Sequence, residues 1–392
     1  MTTPPHGSPP HHAPAALTPR QATPPPASAS APGAQPRPTR LTGIDIARGV
    51  AILGMFTAHL GDDAPGGGAD PSWLMLADGR SAALFAFLAG VSLALSTGRT
   101  RPPSGAAMTR ARLRITYRAG MLFILGALLI LLETPLYVIL PAYAAMFLLA
   151  LPFLGANRGR LVLGAATCAI VSPAVIFLLT TPLHAGGRSI VGGWTGWEDP
   201  VESELDILAT GHYAALIYSA FILLGLAVGR SNLTSVRFQA GMIAAGTLLA
   251  TVAWGSSRLL LDAGAAEGSP YLYHLVNGEP HEYSPVEIVG SCGTSLAVTG
   301  LLLILTRPGR PGRVVAAICS PVAAAGSMSL TLYTGHIVAI AILGNDVVWY
   351  PESNGVLIVF IVVALVFAWA WRHVLGQGPL ERALAVLADT GR

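Results

Sequence analysis

The sequence predicts an all-α fold, a polytopic membrane bundle of about ten transmembrane helices with both ends of the chain on the inner side. Three observations predict it. The 392 residues are 53% hydrophobic and only 11% charged, with a mean hydropathy of +0.60, whereas roughly a quarter of the residues of a soluble globule are charged. Apolar windows of about 20 residues recur, each long enough to cross a hydrocarbon core of about 30 Å. The segments between them alternate in charge, as loops on opposite faces of a membrane do.

Taken in order, residues 1–40 are rich in Pro, Ala and Ser and carry His6, His11 and His12. They hold no apolar run, so they are expected to stay disordered on the cytoplasmic side, without the basic start and apolar stretch of a signal peptide. Residues 41–387 are expected to form a single membrane domain. Its windows fall at about 43–60, 76–96, 117–133, 136–154, 161–182, 211–229, 239–261, 286–306, 321–343 and 355–374. One set of connections carries Arg20, Arg37 and Arg40, then Arg99 to Arg118, Arg158 and Arg160, Arg230 and Arg237, Arg307 to Arg313, and Arg372, Arg382 and Arg392. Excess arginine marks the cytoplasmic side. The other set carries Asp62, Asp63, Asp70, Glu133, the acidic stretch 194–206, Glu267, Glu279, Glu282, Asp346 and Glu352. All 23 basic residues are arginine, a bias that with abundant Ala, Gly and Pro points to a GC-rich bacterial genome and hence to a bacterial cytoplasmic membrane.

Three arginines break the alternation: Arg80 at the start of the second window, Arg188 in an outer loop and Arg258 near the outer end of the seventh. A lone charge within a span costs at least about 2.5 kcal/mol on insertion scales. Arg80 and Arg258 therefore need an anionic partner or an aqueous cavity. Ion pairs of Arg80 with Asp78 and of Arg258 with Asp262 are the structural alternative to a ligand role.

The first window carries Asp45, Arg48 and His59. Asp45 and Arg48 are helix neighbours near the cytoplasmic end. His59, about 21 Å further along and within about 40° of the same face, would extend one polar stripe to the outer end. Such a stripe faces protein or water. Counting from Pro321, a straight ninth helix would put His336 about 22 Å along, also in the outer third. His59, His336, Asp78, Arg80, Glu287 and His281 thus share one level by topology, while a helix-bridging hydrogen bond remains the plain alternative for each histidine.

Other features point to less. Cys168, Cys292 and Cys319 lie singly in apolar segments with no CxxC spacing, so no disulfide framework and no metal site is expected. The arginines form no continuous basic face, which excludes nucleic acid as a partner. Trp194 and Trp197 read as an interface element. The PPSGAAMTRARLRITYR and RPGRPGR segments read as cytoplasmic loops that set topology and meet lipid headgroups, and GDDAPGGGAD lacks the GKS or GKT of a phosphate cradle.

The pattern RLTGIDIARGVAILGMFTAH followed by DGRSAALFAFLAGVSLAL resembles the start of the heparan-alpha-glucosaminide N-acetyltransferase family and its bacterial relatives. LPAYAAMFLLALPFL, HEYSPVEIVGSCGTSLAVTGLLL, GSMSLTLYTGHIVAI and GPLERAL are similar to the YeiB-like bacterial membrane proteins, domain of unknown function 418. The resemblance spans nearly everything after residue 40. It implies a transmembrane acyltransferase that takes an acyl group from cytoplasmic acyl-CoA, acetyl-CoA above all, to an amine or hydroxyl of an outer-side acceptor such as an envelope carbohydrate. The lysosomal relatives carry a histidine just before an SW pair. Ser72 and Trp73 match that pair, but Asp70 or Ala69 stands near the histidine's place, so either His59 takes the role or the chemistry differs.

On this reading Arg48, with Asp45 beside it, holds CoA phosphate. His59 or His336 is the general base, oriented by Asp78, with Arg80 stabilising oxyanion charge. Glu287, His281 and Arg258 are the substrate-binding candidates. The expected partners are the lipid bilayer and a small-molecule donor and acceptor; whether two copies form a homodimer is left open. The rival expectation is a transporter or flippase for a small polar or anionic solute, because a polar stripe through a bundle also describes a conduction path.

Overall fold

The computed structural model describes residues 1–2, 41–61, 73–184, 207–208, 212–349 and 353–390. The expectations that fall on the N-terminal tail, on Asp62 to Ser72, on Arg188, Trp194 and Trp197, on Glu352 and on Arg392 lie outside the described residues. Contacts divide the chain at Arg40 into Met1–Arg40 and Leu41–Arg392; the second unit holds the helices.

Those helices are α1 (Thr42–Leu60), α2 (Arg80–Ser96), α3 (Gly105–Ile130), α4 (Leu140–Ala150), α5 (Arg158–His184), α6 (Ala215–Gly229), α7 (Val236–Asp262), α8 (Pro270–Val276), α9 (Pro285–Leu305), α10 (Arg310–Ile318), α11 (Ser320–Ser327), α12 (Ser329–Leu343), α13 (Asp346–Trp349), α14 (Gly355–Val374) and α15 (Pro379–Thr390). No strand occurs among the described residues. The protein is an all-α, multi-pass membrane protein. Six helices are long and apolar enough to span a membrane, α11 and α12 form one bent pair, and α2, α4 with its 3-10 extension to Gly155, and α6 are shorter apolar helices. Each of the ten expected windows holds one of these elements.

Burial explains the shorter helices. More than half of the apolar stretches of α1 and α9 is buried, against 17–28% for α3, α5, α7 and α14, so α1 and α9 are central and the other four present apolar flanks to lipid. Nearly every residue of α6 is buried, and a helix enclosed by other helices does not need the length that contact with lipid imposes. Small residues bring the inner helices together. Cβ atoms on Gly90 of α2 or Gly225 of α6 would collide with the other helix's backbone, and the same holds where Gly49 of α1 meets Gly326 of α11.

Arg230, buried at the end of α6, ties one end of the bundle. Its guanidinium donates to the carbonyls of Thr97 (2.7 Å), Arg99 (2.6 Å) and Leu154 (2.6 Å) and to Thr97 Oγ1 (2.9 Å). It thereby joins the ends of α2, of the Leu151–Gly155 turn after α4, and of α6, all three expected on the arginine-rich side.

Three expectations need correction. The ninth span is not straight: α11 and α12 meet at 84° about Met328, so the depth of His336 does not follow from counting along one rod. The exposed N–H groups of the new helix start are met by Glu381 of α15, which accepts from Leu330 N (2.8 Å), Thr331 N (3.1 Å) and Thr331 Oγ1 (2.6 Å). The basic segment before the third window is helical from Gly105, an extension of α3 beyond its apolar part. Part of RPGRPGR starts α10, whose proline falls in the first turn, where a missing N–H costs nothing.

Candidate active site

The end of α1, the middle of α12, the start of α2 and the entry to α9 meet in one polar cluster. His59 Nδ1 lies 3.0 Å from His336 Nε2, with the two rings stacked at 5.3 Å. Phe56, one turn back on α1, packs on His336 at 4.8 Å. His336 is buried, and its Nδ1 is hydrogen-bonded to the carbonyl of Tyr333. A carbonyl only accepts, so His336 Nδ1 carries the proton. In the neutral ring its Nε2 then accepts, His59 Nδ1 donates, and His59 Nε2 keeps its lone pair. Tyr333 is itself fixed by a 3.1 Å bond from Ile139 N to its hydroxyl.

The second half of the cluster is built by Glu287. Ser284 caps α9 by accepting from Glu287 N at 2.9 Å, Pro285 sits in the first turn, and the Ser284 hydroxyl donates to the Asn277 carbonyl. This matches a Ser-x-x-Glu capping pattern, except that the Glu287 carboxylate reaches further back, accepting from His281 N (3.0 Å) and Tyr283 N (2.6 Å). Both residues have positive φ, +64° and +54°, a conformation that side chains other than glycine rarely take. Two hydrogen bonds to a buried carboxylate hold them there. Glu287 thus acts as the frame of the loop that aims His281.

His281 Nε2 lies 3.1 Å from Asp78 Oδ1, which also accepts from Gly79 N at 2.9 Å. Burial pushes the Asp78 carboxyl up, but the His281 hydrogen bond and charge, the Gly79 N–H and His212 together bring it below the usual carboxylate range. Asp78 therefore stays ionised and His281 Nε2 donates to it. His212, just before α6, stacks on His281 at 4.1 Å and on Tyr137 at 4.3 Å. Burial first, then neighbouring His281, holds its pKa well below 6.5.

The structure brings together five of the expected residues: His59, His336, Asp78, His281 and Glu287. It changes two partnerships. Asp78 hydrogen-bonds His281, although it lies within electrostatic range of His59. Arg80 lies over the Trp254 ring at 4.5 Å, in a cavity that Arg258 also lines, with Glu287 and Asp78 in electrostatic range. No ion pair joins Arg258 to Asp262 among the described residues.

Asp45 and Arg48 stand apart from the cluster. Arg48 lies 3.4 Å from Asp45 and donates to Ser92 Oγ of α2 at 2.6 Å, with Arg118 in electrostatic range. Between them and His59, α1 buries Ala51, Ile52, Met55 and Phe56. The stripe expected along α1 is therefore two polar ends separated by apolar packing. Sequence reasoning missed His212, Tyr333, Trp254 and Ser92. Of these only His212 carried a usable signal, a histidine at the outer edge of the sixth window.

The comparisons with known proteins bear on this cluster. The family model described as heparan-alpha-glucosaminide N-acetyltransferase, catalytic, matches residues 40–261. The chain belongs to that family. A membrane acetyltransferase-like role follows for the protein as a whole, with an acyl-CoA as the general class of donor. The matched region of this family member contains Asp45, Arg48, His59, Asp78, Arg80, His212 and Arg258, while His281, Glu287 and His336 lie beyond it. No curated protein and no solved structure matches the chain.

Proposed function

We propose that the protein is a transmembrane acetyltransferase of a bacterial cytoplasmic membrane, carrying the acetyl group of cytoplasmic acetyl-CoA to an amine of an outer-side glucosaminide or related envelope carbohydrate. The observation that carries the reading is the His336–His59 relay, which leaves a lone pair on His59 Nε2; the cluster's other unpartnered imidazole nitrogen, His281 Nδ1, is buried. His59 is the general base and His336 positions it.

In this scheme the acceptor nitrogen attacks the thioester carbonyl while His59 Nε2 takes its proton. The tetrahedral adduct collapses with cleavage of the C–S bond, and the proton leaves with the CoA thiolate. The Asp78 carboxylate steadies the imidazolium formed in between. Arg48, with Arg118 nearby, supplies cationic donors for CoA phosphate. Arg48 and His59 are about 16 Å apart along α1, so a donor held by its phosphates must present its thioester on an extended arm. The transport alternative rested on a continuous polar stripe, and the apolar packing within α1 removes that support.

The test is transfer of labelled acetyl from acetyl-CoA to glucosamine by purified protein. His59→Ala should lower kcat on the order of 10²–10⁴-fold, the usual worth of a general base, at unchanged folded yield. His336→Ala should lower kcat with little change in acceptor KM, and His336→Gln, whose amide oxygen can accept from His59, should recover part of it. Full activity in His59→Ala would remove the assignment.

A further inference from the structure

Arg80 and Arg258, two of the arginines that break the charge alternation, line one cavity of about 770 Å³ between α7, α9, the start of α2 and the 277–280 turn. Its polar groups are mostly donors, although Glu287 and Asp78 lie in electrostatic range of Arg80. The Arg80 guanidinium lies over the Trp254 ring at 4.5 Å, and Trp254 Nε1 is buried with no hydrogen-bond partner. Asn277 is 1% exposed; its Oδ1 accepts from Glu279 N, and its Nδ2 is left without a partner. Ser257 Oγ accepts from Gly278 N at 2.9 Å, leaving its hydroxyl proton for the cavity. Arg258 is exposed and makes no ion pair or hydrogen bond among the described residues. The Glu279 carboxylate lies at the exposed rim.

A buried donor without an acceptor costs about 1–3 kcal/mol. Two such donors beside two guanidiniums, near the outer ends of otherwise apolar helices, describe a site built for an acceptor-only, negatively charged group. We propose that this cavity binds a tetrahedral oxyanion, a phosphate or sulfate carried by a ligand that reaches the adjoining histidine cluster. Arg80 couples the two places, since its backbone N–H bonds the Asp78 carbonyl at 2.5 Å, while Pro280 in the cavity wall precedes His281. The biological meaning rests on the acetyl-transfer reading, with the oxyanion borne by the acceptor or by a lipid headgroup beside it; the binding itself does not require transfer.

The experiment uses the full-length protein in nanodiscs without acetyl-CoA, so failure of catalysis and failure of this site are separable. Glucosamine 6-phosphate and glucosamine are titrated by calorimetry into phosphatidylcholine discs, and phosphatidylglycerol retention is followed by native mass spectrometry. Saturable binding of the phosphate probe alone, weakened tenfold or more by Arg258→Gln, supports an acceptor-borne oxyanion. Phosphatidylglycerol retained by the unsubstituted protein and lost in Arg258→Gln supports a headgroup, whether or not the sugar phosphate binds. Trp254→Phe, which keeps the ring beneath Arg80 but removes the N–H, should weaken the same interaction and serves if Arg258→Gln does not fold. Equal binding of the two sugars together with phosphatidylglycerol retention unchanged by Arg258→Gln, or no response of either probe to the substitutions, overturns the proposal.

Discussion

His212 stacks on both Tyr137 and His281, and the burial that makes these contacts penalises its protonated form. Its folded-state pKa lies well below 6.5, so the unfolded chain takes up a proton first as the pH falls. The contribution of His212 to stability is therefore full above 6.5 and lost on acidification below it. Asp78, held below 3.8, keeps its contribution until far lower pH. The melting temperature should fall between pH 7.5 and 5, and His212→Phe, which retains the stacking, should show a shallower fall. An unchanged slope would contradict the assignment. At this scale the sequence disclosed His59 and His336 because a polar side chain within an apolar window stands out. It disclosed neither their contact nor the Asp78–His281 bond, since depth places residues in a layer and only packing selects partners. Trp254 was illegible: an aromatic near a membrane interface has the same pattern whether it faces lipid or a cavity.

Among the elements, the break at Met328 governs the site. A straight continuation of α11 would carry the sequence after Met328 along a different path, whereas the 84° turn sends α12 to the end of α1 with His336 against His59. The turn leaves helix N–H groups exposed at the start of α12, and Glu381 satisfies two of them. Glu381→Ala should cost roughly 1–3 kcal/mol, by the worth of a cap and of unpaired donors, and lower acetyl transfer by displacing His336. Lower stability with an undisturbed transfer rate would show that α12 holds its course without the cap. No Pro or Gly at 328 announces the break, and the apolar run continues across it, so hydropathy read one span where there are two helices. The ends of α9 were more legible, because Ser284, Pro285 and Glu287 form a recognisable helix start.

At the scale of the whole molecule, the polar groups gather at two ends of the bundle. Arg230 gathers three helix ends expected on the cytoplasmic side, Arg48 lies near the end of α1 expected on that side, and the histidine cluster is built from ends expected outside. Ten apolar windows and alternating loops were readable because the bilayer imposes length and charge rules on every span. Which helices are central was not, since α5 and α9 have similar apolar character yet very different burial. The central claim is that acetyl crosses between the two polar ends. Proteoliposomes with the cytoplasmic side outward, loaded with glucosamine and given labelled acetyl-CoA outside, test it most directly. The account predicts labelled N-acetylglucosamine inside the vesicles, abolished by His59→Ala and weakened at low donor concentration by Arg48→Ala. Product formed only when donor and acceptor share one side would contradict it.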